Sequence, residues 1–334
     1  MRGAVLDASY VLPVKSASTD GLEELAVYLR WLARRCDVVV VDGSPAEVER
    51  AHARAWGDIV LHTRPDSDLS GLAGKVNGVV TGLRRAGHER VVIADDDVRY
   101  DDDNLRRVIG LLDGADLVRP QNHFDPLPWH ARWDTGRSLL NRALGGDWPG
   151  TVAVRRSRVL TAGGYDGDVL FENLELVRTV RAAGGRVVTP LDLFVRRLPP
   201  TADHFWSQRT RQAYDELGRP AWLVAELAVM PAAVAALVLR RWRPVAVAVG
   251  AVVATAEVGR RRAGGRAVFP ASSALFAPVW LAERGVCVWL AVWARLRHGG
   301  VRWGDVRLRR AATPGRVLRR RFGRPAAICG AREA

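Results

Sequence analysis

Short runs of consecutive apolar residues alternate, over the first two hundred positions, with longer segments of helical spacing. Tyr10 to Val14, Val38 to Val41 and Val91 to Ala94 are such runs, with the length and β-branched content of strands buried on both faces. A Leu- and Ala-rich helix follows the first run. A further short strand is expected near Ile59 to Thr63, and Gly74-Lys75-Val76-Asn77-Gly78 opens another helix before the Val91 run. This alternation predicts an α/β domain on a mostly parallel sheet, whose ligands bind where the carboxyl ends of the strands open. Asp42, Lys75 and Asp95 fall at that edge.

The pattern changes near residue 219. Ala221 to Leu239 is an apolar stretch carrying one charge, Glu226; Pro244 to Val258 is a second; Ala267 to Trp293 is a third, interrupted by Glu283-Arg284. Crossing a bilayer takes roughly 20 apolar residues, so the first stretch is long enough and the second is short. The third is one long span or a hairpin. Arginines at 240–243, 260–266 and 302–324 punctuate them, with Trp222, Trp242, Trp280, Trp289, Trp293 and Trp303 placed as interface anchors would be.

Charge agrees with that division. Residues 221–334 carry 20 Arg and 5 acidic residues, a net +15, so the chain's +14 arises there and residues 1–220 stand at −1. A basic excess suits nucleic acid or anionic lipid, and the apolar neighbours favour lipid. The expected organisation is a catalytic-type α/β domain over 1–218, membrane-associated helices over 219–298 and a basic cytoplasmic tail over 299–334. Met1 to Lys15 lacks a basic leader followed by a long apolar segment, which predicts a cytoplasmic domain on the cell membrane. Domain and Arg-rich tail on one side require two or four crossings. The Arg240 to Arg243 cluster then falls outside, a conflict that an interfacial first helix removes.

The strand at Val91 runs into Asp95-Asp96-Asp97. Three like charges at a strand end repel unless a cation holds them. Taken as a continuing strand, Asp95 and Asp97 point to one side, so two hard oxygen donors could share Mg or Mn carrying a substrate diphosphate. The alternative is a solvated acidic turn capping the helix at Leu105.

With these segments in order, the chain resembles family 2 glycosyltransferases of the GT-A fold, over about residues 8–215. Val11-Leu12-Pro13 is similar to that family's first strand, Val41-Asp42-Gly43-Ser44 to its Asp-Gly-Ser turn and Asp95-Asp96-Asp97 to its Asp-X-Asp motif. Gly163-Gly164-Tyr165-Asp166 resembles the turn near the acceptor, and Phe171-Glu172-Asn173-Leu174-Glu175 the segment that supplies the base. Gln208-Arg209-Thr210-Arg211-Gln212 resembles the Gln-X-X-Arg-Trp motif of membrane-bound members, after Pro199-Pro200-Thr201. The resemblance implies inverting transfer from a nucleotide-diphosphate sugar to a lipid or glycan hydroxyl. It also implies a divalent metal at Asp95 and Asp97, with Pro13, Asp42 and Asp95 facing the donor and Gln208 and Arg211 closing over the diphosphate; Lys75, a compact point charge, is expected near a phosphate.

Two departures touch the chemistry. Asn173 stands where the family has its aspartate, and an amide accepts no proton. Glu172 is then the preferred base and Glu175 the second, three apart and so on a common helix face. Gln212 replaces the motif's Trp. Asn173 keeps a rival open, an inactive nucleotide-sugar-binding or scaffold protein, and the charge alone keeps a nucleic-acid binder as a weaker one. Trp148, in Asp147-Trp148-Pro149-Gly150, serves an acceptor pocket or the core. Gly74-Lys75 fits no P-loop, because Leu69 and Val76 stand where Gly and Ser or Thr are needed. The seven histidines are isolated, and Cys36, Cys287 and Cys329 fit neither a disulfide framework nor a zinc site. Only two of the 50 basic residues are lysines, Lys15 and Lys75, and both fall in motif segments.

Overall fold

A computed structural model describes residues 5–304 and 306–322. The chain runs β1 (Ser9–Val14), α1 (Leu22–Ala33), β2 (Asp37–Asp42), α2 (Ala46–Trp56), β3 (Leu61–Thr63), α3 (Gly74–Arg85), β4 (Arg90–Ala94), β5 (Val98–Arg99) and α4 (Asp102–Gly110). Then come β6 (Leu117–Val118), β7 (Gln121–Phe124), α5 (Trp129–Leu144), β8 (Thr151–Arg155), α6 (Arg156–Thr161), α7 (Glu172–Ala182), β9 (Val187–Val188), β10 (Phe194–Arg197) and α8 (Ala202–Tyr214). The last third holds α9 (Pro220–Val238), α10 (Trp242–Arg261), α11 (Ser272–Leu275), α12 (Ala277–His298), β11 (Val301–Trp303), β12 (Val306–Leu308) and α13 (Gly315–Phe322).

The main sheet has the order β3-β2-β1-β4-β8-β6-β9. Its first four strands are parallel, and β8 runs antiparallel to both neighbours. Period-two alternation divides its apolar residues between two cores. Tyr10, Leu12, Val38, Val40, Val92 and Ala94 pack with α1 and α4. Val11, Val39, Val41, Val91 and Ile93 pack with α3 and α7. The mostly parallel α/β reading holds, with β3 confined to the end of the expected segment.

The last third is closely joined to this domain. Gly259 of α10 lies so near α5 that a Cβ there would stand 1.9 Å from the Leu139 carbonyl oxygen, and Arg142 donates to the carbonyls of Gly259 and Arg262 at 3.2 and 2.8 Å. Both ends of α12 touch the domain. Its start abuts Gly136, where a Cβ would meet the Ala277 nitrogen at 2.8 Å. Its end is held by Arg295, which donates to the Arg309 carbonyl at 2.9 Å, the same carbonyl that accepts from the Tyr214 hydroxyl. Helix α9 lies along α12 through Val229 at Gly285 and the Trp289 indole on the Leu227 carbonyl.

Residues 299–304 and 306–322, the described part of the basic tail, also pack on the domain. Leu170 and Phe171 donate to the carbonyls of Arg310 and Ala311 at 3.0 and 2.8 Å. The expected interruption at Glu283-Arg284 has a physical reason: Glu283 pairs with the buried Arg209 of α8, which also holds Asp134 of α5. Cys36 and Cys287 are buried and unpaired; Cys329 lies outside the described residues.

Candidate active site

Strands β1, β2 and β4 end at one edge because they are parallel, with Pro13 beside Val41 and Val14 beside Asp42. Helix α3 opens over that edge, Gly78 resting on Pro13. In its first turn the Lys75 ammonium lies 2.6 Å from Asp95 Oδ1 and 2.7 Å from Glu172 Oε1, joining the acidic turn to the first residue of α7. From the end of β10, Arg197 Nε reaches Asp97 Oδ2 at 2.7 Å, and its Nη2 is 3.6 Å from Asp95 Oδ2. Gly150 closes the floor: its carbonyl accepts from the Asp95 N–H, and a Cβ there would crowd Asp95 Oδ2 at 2.8 Å.

This corrects the geometry expected for the carboxylates. Strand β4 ends at Ala94, so Asp95 to Asp97 form the turn into β5, and no strand alternation aligns them. Lys75 and Arg197 do so instead. Asp101, rather than the triplet, caps α4 by accepting from the Asn104 N–H. Desolvation raises the Asp97 pKa, with Arg197 opposing it. Desolvation works against the charge on Lys75 as well, but Asp95 and Glu172 outweigh it and hold the pKa well above the ordinary lysine value.

The cluster fits a cation. Asp97 Oδ1 is buried with no hydrogen-bond partner, an acceptor left open in the cluster that Lys75 and Arg197 hold together. Among the described residues no three His, Cys, Asp or Glu side chains gather as a metal cage. A divalent ion here would rest on Asp95 and Asp97, with its other ligands from water or a phosphate-bearing partner, as Mg commonly binds.

Helix α8 supplies the opposite wall. The Arg211 guanidinium stacks over Trp303 of β11, 4.1 Å from the ring centre. Desolvation lowers its pKa, opposed by the charges of Asp215, Glu172 and Asp95. Gln208, one helical turn earlier, has its Oε1 buried without a partner. Arg209 turns the other way, into the α5 and α12 contact, and also holds Gln212. Trp148 lies between Phe171, edge-on at 5.0 Å, and the Arg119 guanidinium at 4.2 Å.

Two expected residues stand elsewhere than foreseen, and a third is committed to the backbone. Asp42 is fully buried: Oδ2 takes hydrogen bonds from His52 at 2.6 Å and His62 at 3.1 Å, and Oδ1 accepts from the Ser44 N–H. Burial alone would raise its pKa, but His62, Ser44 and His52 hold it well below the ordinary aspartate value. Its role is to clamp the turn rather than to face a ligand, and the histidines read as isolated converge on it. Glu175 is fully buried and accepts from the Thr313 N–H at 2.7 Å, sealed beneath that segment although it shares a helix face with Glu172. Asn173 donates its amide to the Pro149 carbonyl at 2.9 Å. Sequence reasoning missed Arg197 and Asp215. Arg197 gives no local signal, whereas Asp215 follows Arg211 by four residues, the spacing of one helix face.

No protein-family model matches the chain, and no curated protein matches it. Among solved structures, the mannosyltransferase PcManGT from Pyrobaculum calidifontis, in complex with GDP-Man and Mn2+, is 19% identical, with 88% of each chain covered and a TM-score of 0.51. S. aureus TarS 1-349 in complex with UDP-GlcNAc is 12% identical over 90% of this chain and 95% of that one, TM-score 0.44. Glucosyl-3-phosphoglycerate synthase from Mycobacterium tuberculosis, in complex with Mn2+, UDP and glucosyl-3-phosphoglycerate, is 18% identical over 61% and 75%, TM-score 0.40. The likeness to PcManGT shows the fold: this chain shares that protein's α/β arrangement.

Proposed function

We propose that the protein is a membrane-associated, family 2-like inverting glycosyltransferase that moves a sugar from a nucleotide-diphosphate donor to a hydroxyl of a lipid or polysaccharide acceptor. The observation that carries this reading is the charged cluster at the carboxyl edge of the sheet. There Lys75 joins Asp95 to Glu172, and Asp97 keeps a buried oxygen free of partners.

Asp95 and Asp97 would hold Mg or Mn, which when bound neutralises charge on the leaving diphosphate. Lys75 and Arg211 flank the same place with fixed positive charge, which stabilises the diphosphate as its bond to the sugar breaks. Gln208 offers its amide beside Arg211. The backbone at Pro13 and the turn clamped by Asp42 receive the nucleotide. Glu172 was the expected base; its ion pair with Lys75 gives it the task of fixing that lysine beside Asp95. The test is calorimetric titration of the solubilised protein with GDP-mannose, UDP-glucose and UDP-N-acetylglucosamine. Binding of at least one is expected with Mn2+, lost in Asp97→Asn; a protein that binds none of them in any condition contradicts the reading.

The membrane part rests on the exposed apolar residues of α9, α10 and α12. Trp222, Val224, Leu237, Val238, Trp242 and Trp293 are exposed, and all three segments are long and apolar enough to cross a bilayer. An arrangement along one membrane face fits their docking better than two or four crossings do. Both ends of α12 meet the domain, and α10 is fastened to α5 near Gly259. The eight residues of α9 after Met230 are mostly exposed and span roughly 12 Å at 1.5 Å per residue, against a hydrocarbon core of about 30 Å. Arg240, Arg241 and Arg243 at the hairpin tip then stay among the head groups of one leaflet.

A further inference from the structure

An acceptor hydroxyl must lose its proton as its oxygen attacks, and the base is missing from the position that resembles the family's. Asn173 spends its amide on the Pro149 carbonyl. Asp95 and Glu172 share Lys75, Asp97 is paired with Arg197, and Glu175 is sealed against Thr313. Asp96 has no ion pair but is exposed in the turn; a second unpaired carboxylate acts electrostatically on Arg211 and Glu172. Asp215, in the single 3-10 turn that ends α8, keeps its Oδ1 buried without a hydrogen bond. The charges facing it are Arg211 of α8, Glu172 of α7, its neighbour Glu216, and Arg284 of α12. Glu226 of α9 faces the same Glu216 and Arg284.

We propose that Asp215 is the general base of the transfer, an assignment that rests on the glycosyltransferase reading. Its carboxylate takes the proton of the acceptor hydroxyl while that oxygen bonds to the anomeric carbon. The bond from this carbon to the diphosphate oxygen breaks, and its electron pair leaves with the nucleoside diphosphate. Arg211, one helical turn before Asp215, has its charge supported by Asp215, Glu172 and Asp95 together. A base works best when its pKa lies near the working pH. Burial, opposed by Arg211 and reinforced by Glu172 and Glu216, pushes Asp215 up to about 7. Below that value the carboxylate is occupied by its own proton, so turnover should fall about tenfold per pH unit toward acid and level off above it.

The test uses the solubilised full-length protein with Mn2+, a lipid extract of the producing cells and GDP-mannose, UDP-glucose or UDP-N-acetylglucosamine. Release of nucleoside diphosphate is followed from about pH 5 to about pH 9. Asp215→Asn should lower turnover about 100-fold or more with donor binding unchanged, and its residual rate should lack the acid limb. Asp215→Glu should recover part of the rate with the limb displaced. Turnover of Asp215→Asn within about threefold of wild type, or a limb that survives in it and vanishes in Glu172→Gln, overturns the assignment. If the amide variant loses donor binding through misfolding, Asp215→Glu decides: a limb superimposable on wild type overturns it. A wild type that binds donor yet releases no diphosphate at any pH overturns the transferase reading, and this assignment with it.

Discussion

Replacing Arg209 by Met should be among the most damaging single changes available in this chain. The side chain is 3% exposed and pairs with Asp134 and Glu283, themselves 7% and 10% exposed, so one guanidinium ties α8 to α5 and α12. Methionine fills much of the stem's volume but leaves two carboxylates buried without a cation. Removing one partner of a buried pair costs about 3–5 kcal/mol. At roughly 2–4 °C per kcal/mol for a domain of this size, the melting temperature should drop by about 10 °C. Thermal unfolding in one detergent measures this, alongside Arg209→Met combined with Asp134→Asn and Glu283→Gln. The triple variant should recover most of the loss, because it removes the uncompensated charges as well as the cation. A loss below about 1 kcal/mol, or a triple variant no better than the single one, refutes the argument.

Other consequences are equally direct. Asp42 has a folded pKa held below its unfolded value, so its contribution is present above the ordinary carboxylate range and lost as pH falls beneath about 4; melts recorded against pH should show this acid loss flattened in Asp42→Asn. Gly259→Ala forces a methyl into the Leu139 carbonyl and should cost about 1–3 kcal/mol, read as a lower melting temperature; no change would mean α10 is not seated on α5. A cysteine at Trp242, with native cysteines replaced by alanine, should react with a membrane-impermeant maleimide only after cells are opened. Labelling of intact cells would mean the hairpin crosses.

The sheet and its charged edge were legible because buried parallel strands write apolar runs, and because turns at their ends carry the acids and the lysine. What stayed hidden depends on pairs far apart in sequence. Arg197 meets Asp97 across a hundred positions, with no periodicity to announce it. His52 and His62 looked solitary, yet the β2, α2 and β3 unit folds both onto Asp42. Helical spacing put Glu172 and Glu175 on one face, but docking of the Thr313 segment decides which is sealed away. The tail was read from charge, which says where arginines fall and nothing of their backbone. That backbone lines the Phe171 segment. Glu283-Arg284 read as a break in a span, whereas the charges turn inward to the domain.

The central claim is sugar transfer at the Lys75, Asp95 and Asp97 cluster, and one measurement meets it head on. Membranes carrying the protein are incubated with Mn2+ and radiolabelled GDP-mannose, UDP-glucose or UDP-N-acetylglucosamine, and label is followed into lipid and polysaccharide. Wild type should pass label from one donor into one of these fractions, and Asp97→Asn membranes should pass almost none. Label that stays on every nucleotide with wild type, or equal transfer by the Asp97→Asn protein, contradicts the account.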